Sequence, residues 1–289
     1  MQQPFQFIAH ALIVLTSMVA AAASSAAVMQ ETVQFMSGDS RTKLTGYVFA
    51  PSATGQYPAV VMLHGRAGSY SSLKRGQYNA DALTLRHKLW GEFWAARGYV
   101  AIHVDSFGPR GFADGFAKHS YNSRPAEVSE QTVRPLDAYG ALTYLRTRAD
   151  VLPERVGVQG WSNGGMTVLA TIGSRPPGLQ NPSLATGFRA ALAIYPGCRV
   201  QSAEPDYKPY APLLLAVAEN DDEVSPTVCR SLADAMRSRG AALEFYWYDG
   251  AHHSYDDPGK TKQSHEPNRI ATQDTLRRAE AFFAQHLKP

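Results

Sequence analysis

The chain is predicted to adopt an α/β fold, with a mostly parallel central sheet and helices on both of its faces. Short apolar segments alternate along the sequence with longer segments of helical periodicity, which is the pattern of parallel β-α-β units. Residues 59–63 are apolar throughout, as expected of a strand that is buried on both faces. The segment Gly160-Trp161-Ser162-Asn163-Gly164 follows a strand-like run and precedes a helix-like one, so it predicts a serine on a tight strand-to-helix turn.

The remaining elements follow from periodicity and from turn residues. Strands are predicted at 32–36, 44–49, 59–63, 99–104, 155–159, 190–195, 213–217 and 243–248. Helices are predicted at 86–97, 127–149, 164–172, 226–239 and 267–287. Gly98 should end the first helix, Pro135 should kink or divide the second, and Pro226 suits the first turn of the fourth.

Composition favours one globular enzyme domain over residues 28–289. The 289 residues are 44% hydrophobic and 18% charged, and the net charge of +3 is small and scattered. This balance argues against a nucleic-acid partner and against an anionic membrane surface. Repeats, low-complexity tracts and linker-like segments are not apparent, and the sequence carries no signal for an oligomeric state.

Residues 1–27 resemble a secretory signal peptide. The first charged residue is Glu31, and before it an apolar run over 11–20 is followed by small residues. Small residues suit cleavage after Ala26 or Ala27, although no Lys or Arg precedes the apolar run. The alternative is a transmembrane anchor. We expect cleavage and export to the periplasm or the medium, with no membrane attachment of the mature chain.

Export favours a disulfide between the two cysteines, Cys198 and Cys229. In an oxidising compartment an even pair of cysteines is expected to be joined. The bond would close a loop of about thirty residues and stabilise the fold by roughly 3–4 kcal/mol. Two buried free thiols are the alternative.

A Ser-acid-His order along the chain predicts nucleophilic catalysis at Ser162. A serine hydroxyl becomes nucleophilic when a histidine removes its proton and a carboxylate orients that histidine. The acid should come from the loop after strand 213–217, where Asp221 is favoured over Asp222, and Glu223 is third. The base should come from the loop after strand 243–248.

Two adjacent histidines, His252 and His253, follow that last strand, and His253 is the favoured base. Neighbouring histidines in one loop seldom bind one metal ion, and no cluster of cysteines or carboxylates completes a zinc site. The sequence therefore predicts no metal.

Backbone amides should stabilise the developing oxyanion. One is expected from Asn163, at the start of the helix after the serine, where N–H groups have no helical partner. The other should come from the loop after strand 59–63, at Arg66 or alternatively Ala67. His64 in the same loop is predicted to be structural.

Further residues are candidates for the walls of the pocket. Arg110 could bind a substrate carboxylate, although a structural ion pair is the favoured role. Trp161 is a candidate substrate contact and also a candidate packing residue. The loop 112–126 is a candidate lid, with aromatic and imidazole side chains at Phe112, Phe116, His119 and Tyr121.

Together these motifs resemble the dienelactone hydrolase family of the α/β-hydrolase fold, and exported proteins of that family in particular. The likeness runs over roughly 32–287 and is carried by 63–65, 105–111, 160–165, 221–226 and 250–255. It implies a catalytic triad at Ser162, Asp221 and His253, with no metal and no organic cofactor. A similar cysteine spacing recurs in the exported relatives.

Two departures refine the expected substrate. The family's namesake enzymes use a cysteine nucleophile where this chain has Ser162, and they carry an arginine shortly after the histidine where this chain has Asp256 and Asp257. The expected function is therefore hydrolysis of an ordinary small-molecule carboxylic ester or lactone through an acyl-enzyme. Alternatives are an acyl-peptidase-like hydrolase, or a catalytically silent binding protein on the same fold.

Overall fold

An eight-stranded sheet forms the centre of the computed structural model, which describes residues 28–289. The predicted signal peptide, 1–27, lies outside the described residues. The strands are β1 (Val28–Met36), β2 (Lys43–Pro51), β3 (Tyr57–Leu63), β4 (Val100–Asp105), β5 (Val151–Trp161), β6 (Ala190–Ile194), β7 (Leu213–Asn220) and β8 (Leu243–His252). Their order in the sheet is β1-β2-β4-β3-β5-β6-β7-β8. The pairs β1–β2 and β2–β4 are antiparallel and all other neighbours are parallel, which confirms the predicted architecture.

Helices cover both faces of this sheet. They are α1 (Leu85–Ala95), α2 (Arg134–Thr147), α3 (Asn163–Thr171), α4 (Arg199–Ser202), α5 (Pro226–Ser238), α6 (Lys260–Gln263) and α7 (Glu266–Leu287). One apolar core packs α2, α3 and α5 against the sheet. The other core packs α1 and α7 against the opposite face, around residues such as Trp94, Trp161 and Phe283. Among residues 28–289, no helix has the length and apolar character needed to cross a membrane.

The second predicted helix begins later than expected. Residues 127–149 were predicted as one element, but α2 starts at Arg134, and a separate 3-10 turn spans Ala126–Val128. Pro135 is the second residue of α2. In the first turn a missing N–H loses no helical hydrogen bond, so the proline divides the predicted element and starts the helix without kinking it. The four-residue helices α4 and α6 were not predicted, because single turns have too little periodicity to detect.

The parallel strands point their carboxyl ends toward one edge of the sheet. Loops that leave β3, β5, β7 and β8 therefore converge there, which is where open α/β sheets place their ligand sites. The same edge receives the loop after β4. All the predicted catalytic residues lie on these loops or at the adjoining start of α3.

A cluster of three buried histidines lies beneath this edge, on the face covered by α1. His103 on β4 stacks on His87 of α1 with ring centroids 4.1 Å apart, and its Nε2 lies 3.1 Å from the Ser69 hydroxyl. His64 lies beyond His103, with centroids 6.1 Å apart. Burial, which disfavours the charged ring, lowers the pKa of all three histidines, and lowers that of His103 to about 3. The cluster is therefore neutral in the folded protein.

The structure also contains the disulfide Cys198–Cys229, which spans 31 residues. Cys198 immediately precedes α4, and Cys229 lies in the first turns of α5. Both sulfurs are buried in the core beneath α5. The bond therefore ties the chain after β6 to the helix that follows the loop of Asp221.

Acid should destabilise the fold through the histidine cluster. Each ring stays neutral when folded but binds a proton below about pH 6.5 when unfolded, so the free energy of unfolding falls as the pH decreases from about 6.5 toward 5. His103→Gln should reduce that slope by up to about 1.4 kcal/mol per pH unit in urea titrations. His119→Gln, at an exposed histidine, is the control and should keep the wild-type slope. Equal slopes for His103→Gln and wild type would contradict the assignment.

Removal of the disulfide should lower the free energy of unfolding. We expect the Cys198→Ala/Cys229→Ala double variant to lose about 3–4 kcal/mol in urea unfolding, because the unfolded chain regains the entropy of the open loop. Wild-type protein unfolded with dithiothreitol present should match the variant. An unchanged unfolding midpoint in both samples would show that the bond adds nothing to stability.

Candidate active site

Ser162 occupies a strained turn between β5 and α3. Its φ of 52° and ψ of −115° lie in a region that non-glycine residues rarely adopt. The flanking glycines allow this turn to form, because a Cβ on Gly164 would come within 1.9 Å of the Leu63 carbonyl oxygen, and one on Gly160 within 2.3 Å of the Gly164 oxygen. The spacing G-x-S-x-G thus reflects backbone contacts that exclude every side chain at both glycine positions.

A continuous chain of hydrogen bonds joins Ser162, His253 and Asp221. The Ser162 hydroxyl lies 2.9 Å from His253 Nε2, and His253 Nδ1 lies 2.6 Å from Asp221 Oδ2. The other oxygen of Asp221 accepts backbone N–H groups from Glu223 and Val224, each at 2.9 Å. These two amides fix the carboxylate, the carboxylate fixes the ring, and the ring faces the hydroxyl. This is the geometry that general-base activation of a serine requires.

The structure separates the favoured residues from their sequence neighbours. Asp222 points to the surface and pairs with Lys118. His252 contacts the start of α7 instead: its backbone N–H donates to Asn268 Oδ1 at 2.8 Å, and its ring stacks on His265. Of the two aspartates and the two histidines, only Asp221 and His253 belong to the hydrogen-bonded chain.

Two backbone segments adjoin Ser162 where oxyanion donors were predicted. Asn163 is the first residue of α3, so its N–H has no acceptor within the helix. The loop after β3 runs alongside, since a Cβ on Gly65 would lie 3.5 Å from the Ser162 Cβ. The buried His64 ring connects this loop to the one after β4: its Nδ1 lies 2.8 Å from the Gly65 oxygen, and its Nε2 accepts the Ser106 N–H at 3.2 Å.

The side chain of Arg66 forms an ion pair that sequence reasoning missed. Its Nε and Nη2 donate to the two carboxylate oxygens of Glu223 at 2.7 and 2.9 Å, and Nη1 donates to the Phe116 carbonyl at 3.1 Å. We call this the Arg66–Glu223 bridge. Glu223 Oε2 lies 3.9 Å from His253 Nε2, so the bridge passes beside the serine-facing nitrogen. Partial burial alone would raise the pKa of Glu223, but the Arg66 hydrogen bond and nearby positive charge lower it, so the carboxylate stays ionised.

A buried, hydrogen-bonded cluster of side chains packs against the His253 ring. The Tyr195 ring lies 4.9 Å from the His253 ring, and the Tyr195 hydroxyl donates to Asp256. Asp256 also accepts the Trp90 indole N–H at 2.9 Å and pairs with Arg86 at 3.3 Å. Burial raises the pKa of Tyr195 well above its usual value, so the hydroxyl keeps its proton. The only signal of this group in the sequence was the pair of aspartates after Tyr255.

The other predicted pocket residues lie elsewhere. Arg110 makes two 2.8 Å hydrogen bonds to the buried Asp137. Two cavities adjoin Ser162, of about 620 and 200 Å³, and Arg110 lines neither of them. Trp161 is fully buried against His87 and Trp90. Both placements agree with the structural alternatives raised for these residues.

Loop 112–126 does reach the site. His119 and Tyr121 line a cavity of about 620 Å³ that opens from Ser162. Phe116, in the same loop, packs against Phe107 and Phe112. Among residues 28–289, no group of three or more His, Cys, Asp or Glu side chains is arranged to hold a metal ion.

Comparison with known proteins identifies relatives of this chain. The sequence model of the dienelactone hydrolase family matches residues 44–287. A Bradyrhizobium protein named "Probable 2-oxo-3-(5-oxofuran-2-ylidene)propanoate lactonase" is 23% identical over 264 residues, covering 86% of this chain and 91% of the relative.

Solved structures share the fold. A thermophilic esterase from Thermogutta terrifontis matches with a TM-score of 0.63 and 20% identity, covering 90% of this chain and 94% of that one. A dienelactone hydrolase-like promiscuous phosphotriesterase from metagenomic libraries matches with a TM-score of 0.62 and 18% identity, covering 90% and 99%. At these identities the likeness establishes the fold.

The contact between Tyr195 and His253 should affect turnover. Tyr195→Phe removes the hydrogen bond that fixes the ring behind His253, and small displacements of reacting groups reduce rates. We expect kcat for a p-nitrophenyl ester to fall on the order of tenfold, with KM nearly unchanged. Tyr99→Phe is the matched control, because this buried tyrosine packs beneath α1, away from Ser162. Equal kcat values for the two variants would contradict a positioning role for Tyr195.

Proposed function

This chain belongs to the dienelactone hydrolase family and is a hydrolase that acts on ester bonds, and from that premise we propose that it is an exported serine hydrolase. Its substrate is a small-molecule carboxylic ester or lactone. Ser162 is the nucleophile, His253 the general base and acid, and Asp221 the carboxylate that orients His253. The observation that carries this proposal is the hydrogen-bonded chain from Ser162 through His253 to Asp221 on the strained turn.

In the acylation step, Ser162 Oγ attacks the substrate carbonyl carbon. His253 Nε2 takes the hydroxyl proton as the new C–O bond forms, and Asp221 stabilises the resulting imidazolium. The carbonyl oxygen gains negative charge and is stabilised by the N–H groups of Asn163 and Arg66. When this tetrahedral intermediate collapses, the bond to the alcohol oxygen breaks and His253 gives that oxygen its proton. The products are the free alcohol and an acyl-serine.

Deacylation repeats these steps with water. His253 removes a proton from the water as its oxygen attacks the acyl carbon, and the same amides stabilise the second tetrahedral intermediate. Collapse of that intermediate releases the carboxylic acid, and the proton held by His253 returns to Ser162 Oγ. A lactone would give one hydroxy acid, since its acyl and alcohol parts remain joined. The chemistry needs no cofactor.

Export is supported by two independent features. The apolar leading segment before Glu31 has the composition of a signal peptide. The Cys198–Cys229 disulfide suits an oxidising compartment such as the periplasm or the medium.

The nucleophile is tested first. Ser162→Ala should lower the hydrolysis of p-nitrophenyl acetate by several powers of ten, because within residues 28–289 the Ser162 hydroxyl is the one hydrogen-bonded to His253 Nε2. A fluorophosphonate probe should label wild type and not the variant. Wild-type rates that persist in Ser162→Ala would place the nucleophile elsewhere. A folded wild type that neither turns over esters nor reacts with the probe would contradict the proposed function itself.

The triad acid is tested with a matched pair of adjacent residues. Asp221→Asn should lower kcat by roughly 10⁴-fold, because the amide favours the wrong tautomer of His253. Asp222→Asn should stay within about twofold of wild type, because a surface ion pair contributes little. Comparable losses in both variants would contradict the assignment of Asp221.

A further inference from the structure

Two cavities of unequal size meet at Ser162. The larger, of about 620 Å³, extends past Asn163 toward Met166 of α3 and Val200 of α4. The smaller, of about 200 Å³, extends past His253 toward Thr84 at the start of α1. The acyl and alcohol groups of an ester bound at Ser162 can therefore occupy different cavities.

The Arg66–Glu223 bridge separates these cavities. Arg66, Glu223 and Ser162 line both of them, so the ion pair lies at their common border. The bridge is held at three points: the loop after β3 carries Arg66, the loop after β7 carries Glu223, and the Phe116 carbonyl accepts a further hydrogen bond from Arg66. Such a bidentate guanidinium–carboxylate contact has a defined geometry, so the border between the two cavities is fixed in place.

The direction of proton transfer decides which group enters which cavity. In the collapse of the tetrahedral intermediate, the alcohol oxygen must receive its proton from His253 Nε2, so the alcohol group has to lie on the His253 side. His253 lines the smaller cavity, whereas the oxyanion residue Asn163 lines the larger one. We propose that the larger cavity holds the acyl group and the smaller one the alcohol, so that the preferred substrates are esters of a bulky apolar acid with a small alcohol. This assignment rests on the proposed function.

The walls of the larger cavity suit an apolar acyl group. Its volume falls within the range of pockets that enclose drug-sized ligands. Met166, Val200, Val224 and Val228 supply apolar surface, and Tyr121 adds an aromatic ring. Polar and charged side chains, among them Asn122, Arg124 and Arg199, complete the lining. Burial of an acyl chain against the apolar side chains removes apolar surface from water and so stabilises the bound ester.

The walls of the smaller cavity suit a short, polar alcohol. Thr84, Arg86, His87 and Ser254 line it with hydroxyl, guanidinium and imidazole groups. Its volume lies below the usual range of ligand pockets. A bulky apolar alcohol would strip water from these polar groups without replacing their hydrogen bonds, which is unfavourable.

A pair of isomeric esters tests the assignment directly. Methyl 3-phenylpropanoate and 2-phenylethyl acetate have the same atoms, but the phenylethyl group lies on the acyl side in the first and on the alcohol side in the second. We expect kcat/KM of wild type to be at least about tenfold higher for methyl 3-phenylpropanoate. Equal rates, or a preference for 2-phenylethyl acetate, would overturn the assignment.

Variants in each cavity and at the border extend the test. Val200→Trp narrows the larger cavity and should lower the ratio of kcat/KM for p-nitrophenyl octanoate to that for the acetate by at least about tenfold. Thr84→Leu narrows the smaller cavity and should leave the octanoate-to-acetate ratio at its wild-type value. Arg66→Ala keeps the backbone amide but opens the border, so it should reduce the preference between the two isomers. The opposite pattern in the Val200 and Thr84 variants would reverse the assignment.

Failure of this inference can be told apart from failure of the proposed function. Hydrolysis of p-nitrophenyl acetate that disappears in Ser162→Ala establishes the serine hydrolase independently of either cavity. If that result holds and methyl 3-phenylpropanoate is not the preferred isomer, or is not hydrolysed, only the cavity assignment is wrong. If folded wild type hydrolyses none of these esters and does not react with the fluorophosphonate probe, both proposals fail together.

Discussion

The contact between the Ser162 turn and the end of β3 is the constraint on which the site depends. The start of α3 lies so close to the Leu63 carbonyl that Gly164 admits no side chain. This packing holds Ser162 in its strained conformation, because relaxing the turn would move α3 out of the core that it shares with the sheet. The same part of the structure places the loop that carries Gly65 and Arg66 beside Ser162 at the start of α3.

Positive φ angles recur around this point. Tyr195 and Ser254, like Ser162, have φ values that non-glycine residues rarely adopt, at 39° and 58°. Tyr195 follows β6 and packs against His253, and Ser254 directly follows His253. Strained backbone persists only where the surrounding structure holds it, and here it occurs at the ends of three strands that meet at one edge of the sheet. The rigid sheet therefore fixes the positions of both Ser162 and His253.

The buried ion pairs around the site fix the positions of neighbouring groups more than they stabilise the fold. The Arg66–Glu223 bridge and the Asp256–Arg86 pair are partly or fully removed from water, where the loss of hydration offsets much of the attraction between charges. Each pair nevertheless fixes a neighbouring element. The bridge spans the loops after β3 and β7, and Asp256 accepts the hydroxyl that packs behind His253. Their value lies in the geometry that they impose on the serine and histidine.

Local patterns in the sequence were enough to predict the α/β architecture, a tight turn at Ser162 and candidate residues in the order serine, acid and histidine. These features depend on apolar periodicity, paired glycines and residues that directly follow strands. The remaining features depend on contacts between distant parts of the chain. Asp222 and His252 are chemically equal to Asp221 and His253, and only the directions of the loops after β7 and β8 bring one member of each pair to Ser162. The Arg66–Glu223 bridge joins residues 157 positions apart, and the support of His253 by Tyr195 and Asp256 joins residues from separate loops. Such contacts leave no local pattern, because they exist only after the sheet has brought distant loops together.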